Sequence, residues 1–166
     1  MANRVRSLPS RRAATKRNDT DMNGKKEIIR VEDLRREFIV GGEKVKALRG
    51  VSFTIHEGEF VTIMGTSGSG KSTLLNILGC LDTPTSGKYE LDGISVQSMS
   101  RNERAVTRNR KIGFVFQNYN LLPKTTAIEN VELPLLYNPS VNARERRQRA
   151  IDALEAVGLG ERIHHK

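Results

Sequence analysis

Residues 60–78 constrain the fold of this chain more than any other stretch. They begin with the run FVTIM, whose apolar and β-branched side chains predict a buried strand, and continue as GTSGSGKS over residues 65–72. These eight residues match G-x-x-x-x-G-K-[ST], and leucines at helical spacing follow as far as Gly79, which predicts a helix end. A strand, a glycine-rich loop and a helix in this order distinguish a phosphate-binding loop from a Gly- and Ser-rich surface loop that matches by chance.

Phosphate binding explains the residue types found in this loop. A triphosphate needs several N–H donors converging on its oxygens, and glycines remove the side-chain bulk that would keep the backbone away. Lys71 is predicted to reach the β- and γ-phosphates, Ser72 to offer its hydroxyl to Mg²⁺, and Thr73 to add a hydroxyl toward the phosphates. The predicted phosphate loop therefore comprises Gly65, Thr66, Ser67, Gly68, Ser69, Gly70, Lys71, Ser72 and Thr73.

The net charge of +9 is concentrated at the start of the chain. Residues 1–18 contain six basic side chains and no acid, which leaves 22 basic against 19 acidic residues in the remainder. A nucleic-acid surface is expected on a folded face with stacking aromatics, and residues 1–18 contain no aromatic side chain. Nucleic acid is therefore not a predicted partner. We expect residues 1–26 to be a disordered basic extension and residues 27–166 to form a single domain.

Cysteine content and hydropathy exclude two classes of protein. The single cysteine, Cys80, cannot support a disulfide framework and suits a reducing compartment. No run approaches the roughly 18 apolar residues of a membrane-spanning helix, so no such helix is predicted. His56 follows a predicted strand and is interpreted as a turn residue without a catalytic role.

Local signals predict further strands and helices on both sides of the loop. Alternating apolar residues predict β-segments around residues 28–31, 51–55 and 89–91, the last closed by the hairpin dipeptide Asp92-Gly93. The apolar run IGFVF at residues 112–116 predicts a second buried strand, which ends at Gln117. A capping residue with glutamate three positions later predicts helices that begin after Ser100, Thr126 and Asn142.

With these motifs located, residues 28–166 resemble the nucleotide-binding subunit of an ATP-binding-cassette (ABC) transporter. The phrases GEFVTIMGTSGSGKSTLLNILGCLDTPTSG, KIGFVFQNYNLLP and TAIENVELPLLY are similar to the lipoprotein-release and macrolide-export branch. The loop alone indicates only a P-loop NTPase, whereas its combination with GFVFQ and ENVELPL is much more specific. The resemblance implies an α/β fold, with a P-loop NTPase core and an antiparallel β subdomain.

The resemblance also implies roles for residues outside the loop. Phe38 falls where the family places the aromatic that stacks on adenine, usually a tyrosine; the alternative is a strand-end aromatic packed on the core. Gln117 matches the glutamine whose side-chain oxygen meets Mg²⁺ and whose loop senses the membrane partner. Thr66 stands where proline is common, and no loss is expected because only the backbone there touches phosphate. The implied cofactors are ATP and Mg²⁺, with Ser72 and Gln117 as the metal ligands.

The resemblance is incomplete at the other end of the chain. The family continues with an LSGGQ-like signature, a strand ending in aspartate, a catalytic glutamate and a switch histidine, and the sequence contains none of these. His164 and His165 precede the place where the signature would begin, so neither matches the switch histidine. The resemblance thus implies an N-terminal fragment, truncated before the signature and Walker B region, with no catalytic residue identified. Such a fragment is expected to leave a strand edge and apolar helix faces uncovered.

The implied function is that of an ATP-binding subunit that binds Mg-ATP to power export across a membrane. Its implied partners are a membrane-spanning transporter subunit and a second nucleotide-binding subunit. Its implied localisation is cytoplasmic, peripheral on the inner face of the cell membrane. Two alternatives stay open at this point. One is a regulatory nucleotide-binding module that does not hydrolyse ATP. The other is a cytosolic ABC-type ATPase not tied to transport, which long insertions or a folded basic face would favour.

Overall fold

The computed structural model describes residues 24–138 and 140–166, so the extension predicted over residues 1–26 lies almost wholly outside the described part. The first described strand begins at Glu27, where the predicted domain begins. The elements follow in the order β1 (Glu27–Val40), β2 (Glu43–His56), α1 (Lys71–Leu78), β3 (Ser86–Leu91), β4 (Ile94–Ser95), α2 (Arg101–Lys111), α3 (Ala127–Leu136), α4 (Ala143–Ala156) and a 3-10 turn at Gly160–Arg162.

The described strands form one antiparallel sheet in the order β2-β1-β3-β4. Gly41 and Gly42 join β1 to β2 with φ values of +60° and +85°, and Asp92 and Gly93 join β3 to β4 with φ values of +53° and +72°. Two successive positive φ values match the right-handed twist of a hairpin, which explains why these dipeptides close the ribbons. The predicted β-segments are confirmed, although β1 and β2 are each 14 residues long and extend well beyond their apolar parts.

Helix α1 packs on the sheet and forms the main core with it. Leu74 and Ile77 face the strands from one side of the helix, and the Tyr89 hydroxyl in β3 donates a hydrogen bond of 2.7 Å to the carbonyl oxygen of Leu78. This bond satisfies the polar end of a fully buried side chain and fixes the end of α1 against β3. The buried core residues are Val31, Leu34, Leu48, Leu74, Ile77, Cys80, Tyr89, Leu91 and Val96.

The three later helices begin where their capping signals predict. Ser100 and Thr126 each complete a capping box, and the side chain of Asn142 accepts a hydrogen bond from the N–H of Glu145. A second, smaller core of Ile128, Ala150 and Leu154 joins α3 to α4. None of the described helices combines the length and the apolarity that crossing a membrane would require.

Two predicted strands are not formed, and this is the main correction to the sequence-based elements. Residues 60–64 and 112–116 join no ladder in the described sheet. Only Ile63 and Ile112 pack against the core, whereas Phe60, Met64 and Val115 are exposed by 94%, 86% and 101%. A parallel strand requires neighbours that pair with its N–H and C=O groups, and no such neighbour flanks either segment in the described part of the chain. These segments therefore form exposed apolar surface.

Candidate phosphate-binding site

The phosphate loop encloses the ammonium group of its own lysine. Lys71 Nζ donates hydrogen bonds to the carbonyl oxygens of Gly65 at 2.8 Å and Thr66 at 2.7 Å, and lies 3.4 Å from Ser69 Oγ. The N–H of Ser69 also reaches back to the Thr66 carbonyl at 3.3 Å. The loop is thus wound around a single positive charge, which its own oxygens hold in place.

Gly70 is needed for both conformation and space. Its φ is +91°, a left-handed conformation that side chains disfavour, and it immediately precedes α1. A Cβ atom at this position would lie 2.4 Å from the carbonyl oxygen of Ala47 in β2 and 3.1 Å from the side chain of Leu48. The loop therefore reaches its place only because Gly70 lets the backbone touch β2.

The N-terminus of α1 differs from those of the other described α-helices. Helices α2, α3 and α4 each begin with a side chain that caps a backbone N–H, whereas no side chain caps α1. The first intrahelical bond of α1 runs from the N–H of Leu74 to the carbonyl of Gly70 at 2.9 Å. The first-turn N–H groups before Leu74 are directed out of the helix at its positive dipole end. This end of α1 can thus bind an anion.

A groove of about 290 Å³ lies between strand β2 and residues 68–69 of the phosphate loop. Among the described residues that line it, two are basic and none is acidic or a histidine, so its electrostatic character favours anions. The lining residues are Lys46, Ala47, Leu48, Arg49, Val51, Gly68 and Ser69.

Phe38 lies toward the tip of the β1–β2 ribbon. It pairs across the ribbon with Val45, the neighbour of the groove residue Lys46. Phe38 is 36% exposed, and the guanidinium carbon of Arg36 lies 4.5 Å from the ring centroid. Arg36 is in turn paired with Asp82, in the turn that follows α1. The ring of Phe38 is therefore held in place without being buried in the core.

The two predicted metal ligands lie on different segments. Ser72 is exposed in the first turn of α1, and Gln117 is exposed in the segment after residues 112–116. Phe114 fixes that segment against the far end of α1, where a Cβ atom on Gly79 would lie 2.5 Å from its ring. The structure thus brings residues 65–73 together with β2, and places Gln117 on a segment that contacts α1 through Phe114.

The sequence did not predict the residues of β2 that line the groove, the contact of Ala47 with Gly70, or the ion pair beside Phe38. Ala47 contacts Gly70 through its backbone, and backbone contacts leave no residue-type signal. Arg36 and Asp82 form a pair 46 positions apart. The position of Arg36 two residues before Phe38 could have suggested contact, because residues i and i+2 of a strand share a face.

Comparison with known proteins assigns the family. A family model described as ABC transporter matches residues 48–166. The chain belongs to the ABC transporter family. This confirms the predicted resemblance, including that to macrolide-export ATPases. The chain is 53% identical over 139 residues to the macrolide export ATP-binding/permease protein MacB of Brucella abortus. The match covers 84% of this chain and 21% of MacB.

Other ABC proteins match over most of this chain. It is 57% identical over 141 residues to an uncharacterized ABC transporter ATP-binding protein of Thermotoga maritima, covering 85% of this chain and 60% of that protein. The solved dimeric structure of the bacterial ABC transporter cassette MJ0796 is similar with a TM-score of 0.75 and 46% identity, over 84% of this chain and 61% of the cassette. These matches confirm the predicted fold class. The chain spans about 60% of the length of these two relatives.

Proposed function

We propose that this ABC chain binds Mg-ATP through residues 65–73 and is the ATP-binding component of an exporter. The observation that carries the proposal is the Lys71 ammonium, held by the Gly65 and Thr66 carbonyls beside the uncapped N-terminus of α1. A triphosphate at this place would gain a fixed cation, the first-turn N–H groups of α1 and the positive end of its dipole. A solved relative of 45% identity is described as bound to ADP and Pi, which supports the choice of nucleotide.

Ser72 and Gln117 would hold the Mg²⁺ ion. A hydroxyl and an amide oxygen are hard oxygen donors of the kind that Mg²⁺ accepts beside substrate phosphates. Both side chains can reach one ion because their segments meet where Phe114 contacts Gly79. From that contact, three extended residues from Phe114 to Gln117 span about 10 Å. The rise of α1 from Gly79 back to Ser72 is also about 10 Å. When bound, Mg²⁺ would neutralise part of the phosphate charge, and the side chains of Ser72 and Gln117 would fix the position of the ion.

The partners follow from the relatives and from the exposed apolar surface. The relative MacB is described as an ATP-binding/permease protein, and the solved cassettes as dimeric. We infer a membrane-spanning partner, a second nucleotide-binding subunit and a location on the cytoplasmic face of the membrane. The apolar side chains that residues 60–64 and 112–116 expose are of the kind that further protein would cover.

We expect Ser72→Ala to reduce strongly the dependence of ATP affinity on Mg²⁺. The hydroxyl of Ser72 is the proposed metal ligand in α1, and alanine preserves the helix. Calorimetric titration with ATP, with Mg²⁺ and with a chelator, should show a Mg²⁺-dependent gain in the parent that falls at least roughly fivefold in the variant. Ser98→Ala, in a turn outside the site, is the matched control. A full Mg²⁺ effect in Ser72→Ala would remove Ser72 from the metal site.

A regulatory module that does not hydrolyse ATP is the second candidate. It is favoured by the groove beside the phosphate loop, because the lining residues that the structure describes include no carboxylate or imidazole to orient an attacking water. For both candidates we expect this chain to hydrolyse Mg-ATP no faster than buffer does, because none of the described groove residues can activate water. Phosphate release should be followed over hours. Steady turnover at roughly 1 s⁻¹ or more, lost in Lys71→Ala, would show instead that a residue of this chain activates water.

A further inference from the structure

We propose that Arg36 is a positioning residue for the nucleobase: held by Asp82, it covers one face of Phe38 and directs the opposite face toward the base. The inference rests on the proposed function, because it concerns the base of the same bound nucleotide. It adds two residues to the site, Arg36 and Asp82, which bind no part of the nucleotide themselves.

The guanidinium of Arg36 has a fixed position. Its Nε donates to one oxygen of Asp82 at 2.8 Å, and its Nη2 donates to the other at 2.9 Å. Such a bidentate pair fixes the plane of the guanidinium as well as its distance. Both side chains are about three-quarters buried, so solvent screens the pair less than it would a surface ion pair. A lysine at position 36 could not reproduce this geometry.

The carboxylate that holds Arg36 is itself tied to β1. Asp82 accepts a hydrogen bond of 2.7 Å from the N–H of Thr83, and the turn it begins is bonded to β1 on both sides of Arg36. The N–H of Thr85 donates to the carbonyl of Arg35 at 2.8 Å, and the N–H of Glu37 donates to Thr85 Oγ1 at 3.0 Å. The turn after α1 therefore moves with the strand that carries Phe38.

Phe38 lies on the side of the ribbon where the phosphate loop packs. Arg36 and Phe38 are two residues apart in β1 and share a face, and the partner of Arg36 across the ribbon is Leu48. Leu48 is buried in the core with α1 and lies beside Gly70. A nucleotide whose phosphates occupy the loop could thus extend its base along this face toward Phe38.

The contact with Arg36 leaves Phe38 able to stack on a base. At 4.5 Å from the centroid, the guanidinium lies within the range of a cation–π contact, and it occupies one face of the ring. Phe38 keeps 36% of its surface exposed, which leaves room for a base on the side of the ring that Arg36 does not cover. Fixing the ring in advance reduces the ordering cost when the base binds. Asp82 and Arg36 would therefore increase affinity for the base without touching it.

The test compares ATP with inorganic tripolyphosphate, which has the phosphates but no base. Arg36→Met should weaken Mg-ATP binding by roughly threefold to tenfold, the cost of ordering one side chain when the base binds, and leave tripolyphosphate affinity unchanged. Arg35→Met is the matched control, because Arg35 is adjacent and also pairs with an aspartate, Asp33, but points away from Phe38. It should change neither affinity. Arg36→Lys should recover part of the loss, since it keeps the charge.

A spectroscopic signal can follow the ring itself. The chain contains no tryptophan, so Phe38→Trp introduces a single tryptophan at the proposed stacking position, and its emission can be excited apart from that of the three tyrosines. ATP should quench its emission and tripolyphosphate should not. Adding Arg36→Met to Phe38→Trp should reduce the quench at saturation, because a mobile ring stacks for less of the time.

Each outcome has a defined meaning. Equal ATP affinities for Arg36→Met and Arg35→Met, or a parallel loss of ATP and tripolyphosphate affinity, would overturn the inference and leave the proposed function intact. If the parent chain binds neither ligand, the proposed function fails and the inference with it. Should Arg36→Met fail to fold, Arg36→Lys and Asp82→Asn give the same comparison, and a selective loss of ATP affinity in either supports the inference.

Discussion

Lys71→Ala should abolish measurable Mg-ATP binding, a loss of roughly a hundredfold or more. Lys71 is the lysine whose ammonium lies within the phosphate loop, between the carbonyl oxygens of Gly65 and Thr66. Alanine removes the charge and the hydrogen bonds that it would make to the phosphates, each of which is charge-assisted. It also removes the contact that keeps the two carbonyls together, so the loop loses its shape along with its cation.

Calorimetric titration of the parent and the variant with Mg-ATP measures this loss. Lys88→Ala is the matched control, because Lys88 is an exposed lysine in β3 that pairs with Glu32, on strands outside the site. It should bind Mg-ATP as the parent does. If Lys71→Ala also bound Mg-ATP with the affinity of the parent, the loop would not be the phosphate site.

Gly70→Ala should destabilise the chain and remove nucleotide binding together. The added Cβ would lie 2.4 Å from the carbonyl oxygen of Ala47, a backbone atom that cannot move aside without shifting β2. A φ of +91° adds a conformational cost of about 1–2 kcal/mol for any residue with a Cβ. Because the loop must separate from β2 to relieve the clash, the start of α1 moves with it. We expect a melting temperature lower by about 8 °C or more and no detectable Mg-ATP affinity.

Gly42→Ala separates the clash from the conformational cost. Gly42 also has a positive φ, +85°, but a Cβ there would meet nothing within 4 Å. Thermal unfolding should therefore show a much smaller decrease for Gly42→Ala, and its Mg-ATP affinity should equal that of the parent. Equal decreases in melting temperature for the two variants would mean that the close approach of Gly70 to Ala47 does not contribute to the destabilisation.

Signals confined to a few residues predicted structure well. Ser100, Thr126 and Asn142 cap helices where the sequence indicated, because a cap is formed between positions three apart. Asp92 and Gly93 close a hairpin for the same reason, since the two residues supply the positive φ values themselves. The position of α1 followed from the loop motif that precedes it.

Predictions that depended on contacts between residues far apart in the sequence were less accurate. The apolar runs at residues 60–64 and 112–116 indicated burial, but an apolar run cannot specify which strand will pair with it. The lengths of β1 and β2 were underestimated because their outer halves are charged and pair through backbone bonds, which carry little sequence signal. The same limit applies to the site. Spacing identified the loop, whereas the pair of Arg36 and Asp82 depends on how the turn after α1 folds back on β1.

Hydrogen exchange of the backbone N–H groups tests most directly whether residues 65–73 bind the phosphates. Saturating Mg-ATP should slow exchange across residues 66–73 at least about tenfold, and tripolyphosphate should protect the same residues, because both ligands present phosphate oxygens to the same donors. Unchanged exchange in the loop would contradict the proposed site. Protection at another place would show that the phosphates bind there instead, for example in a second pocket, which Arg101, Arg104 and Arg108 line.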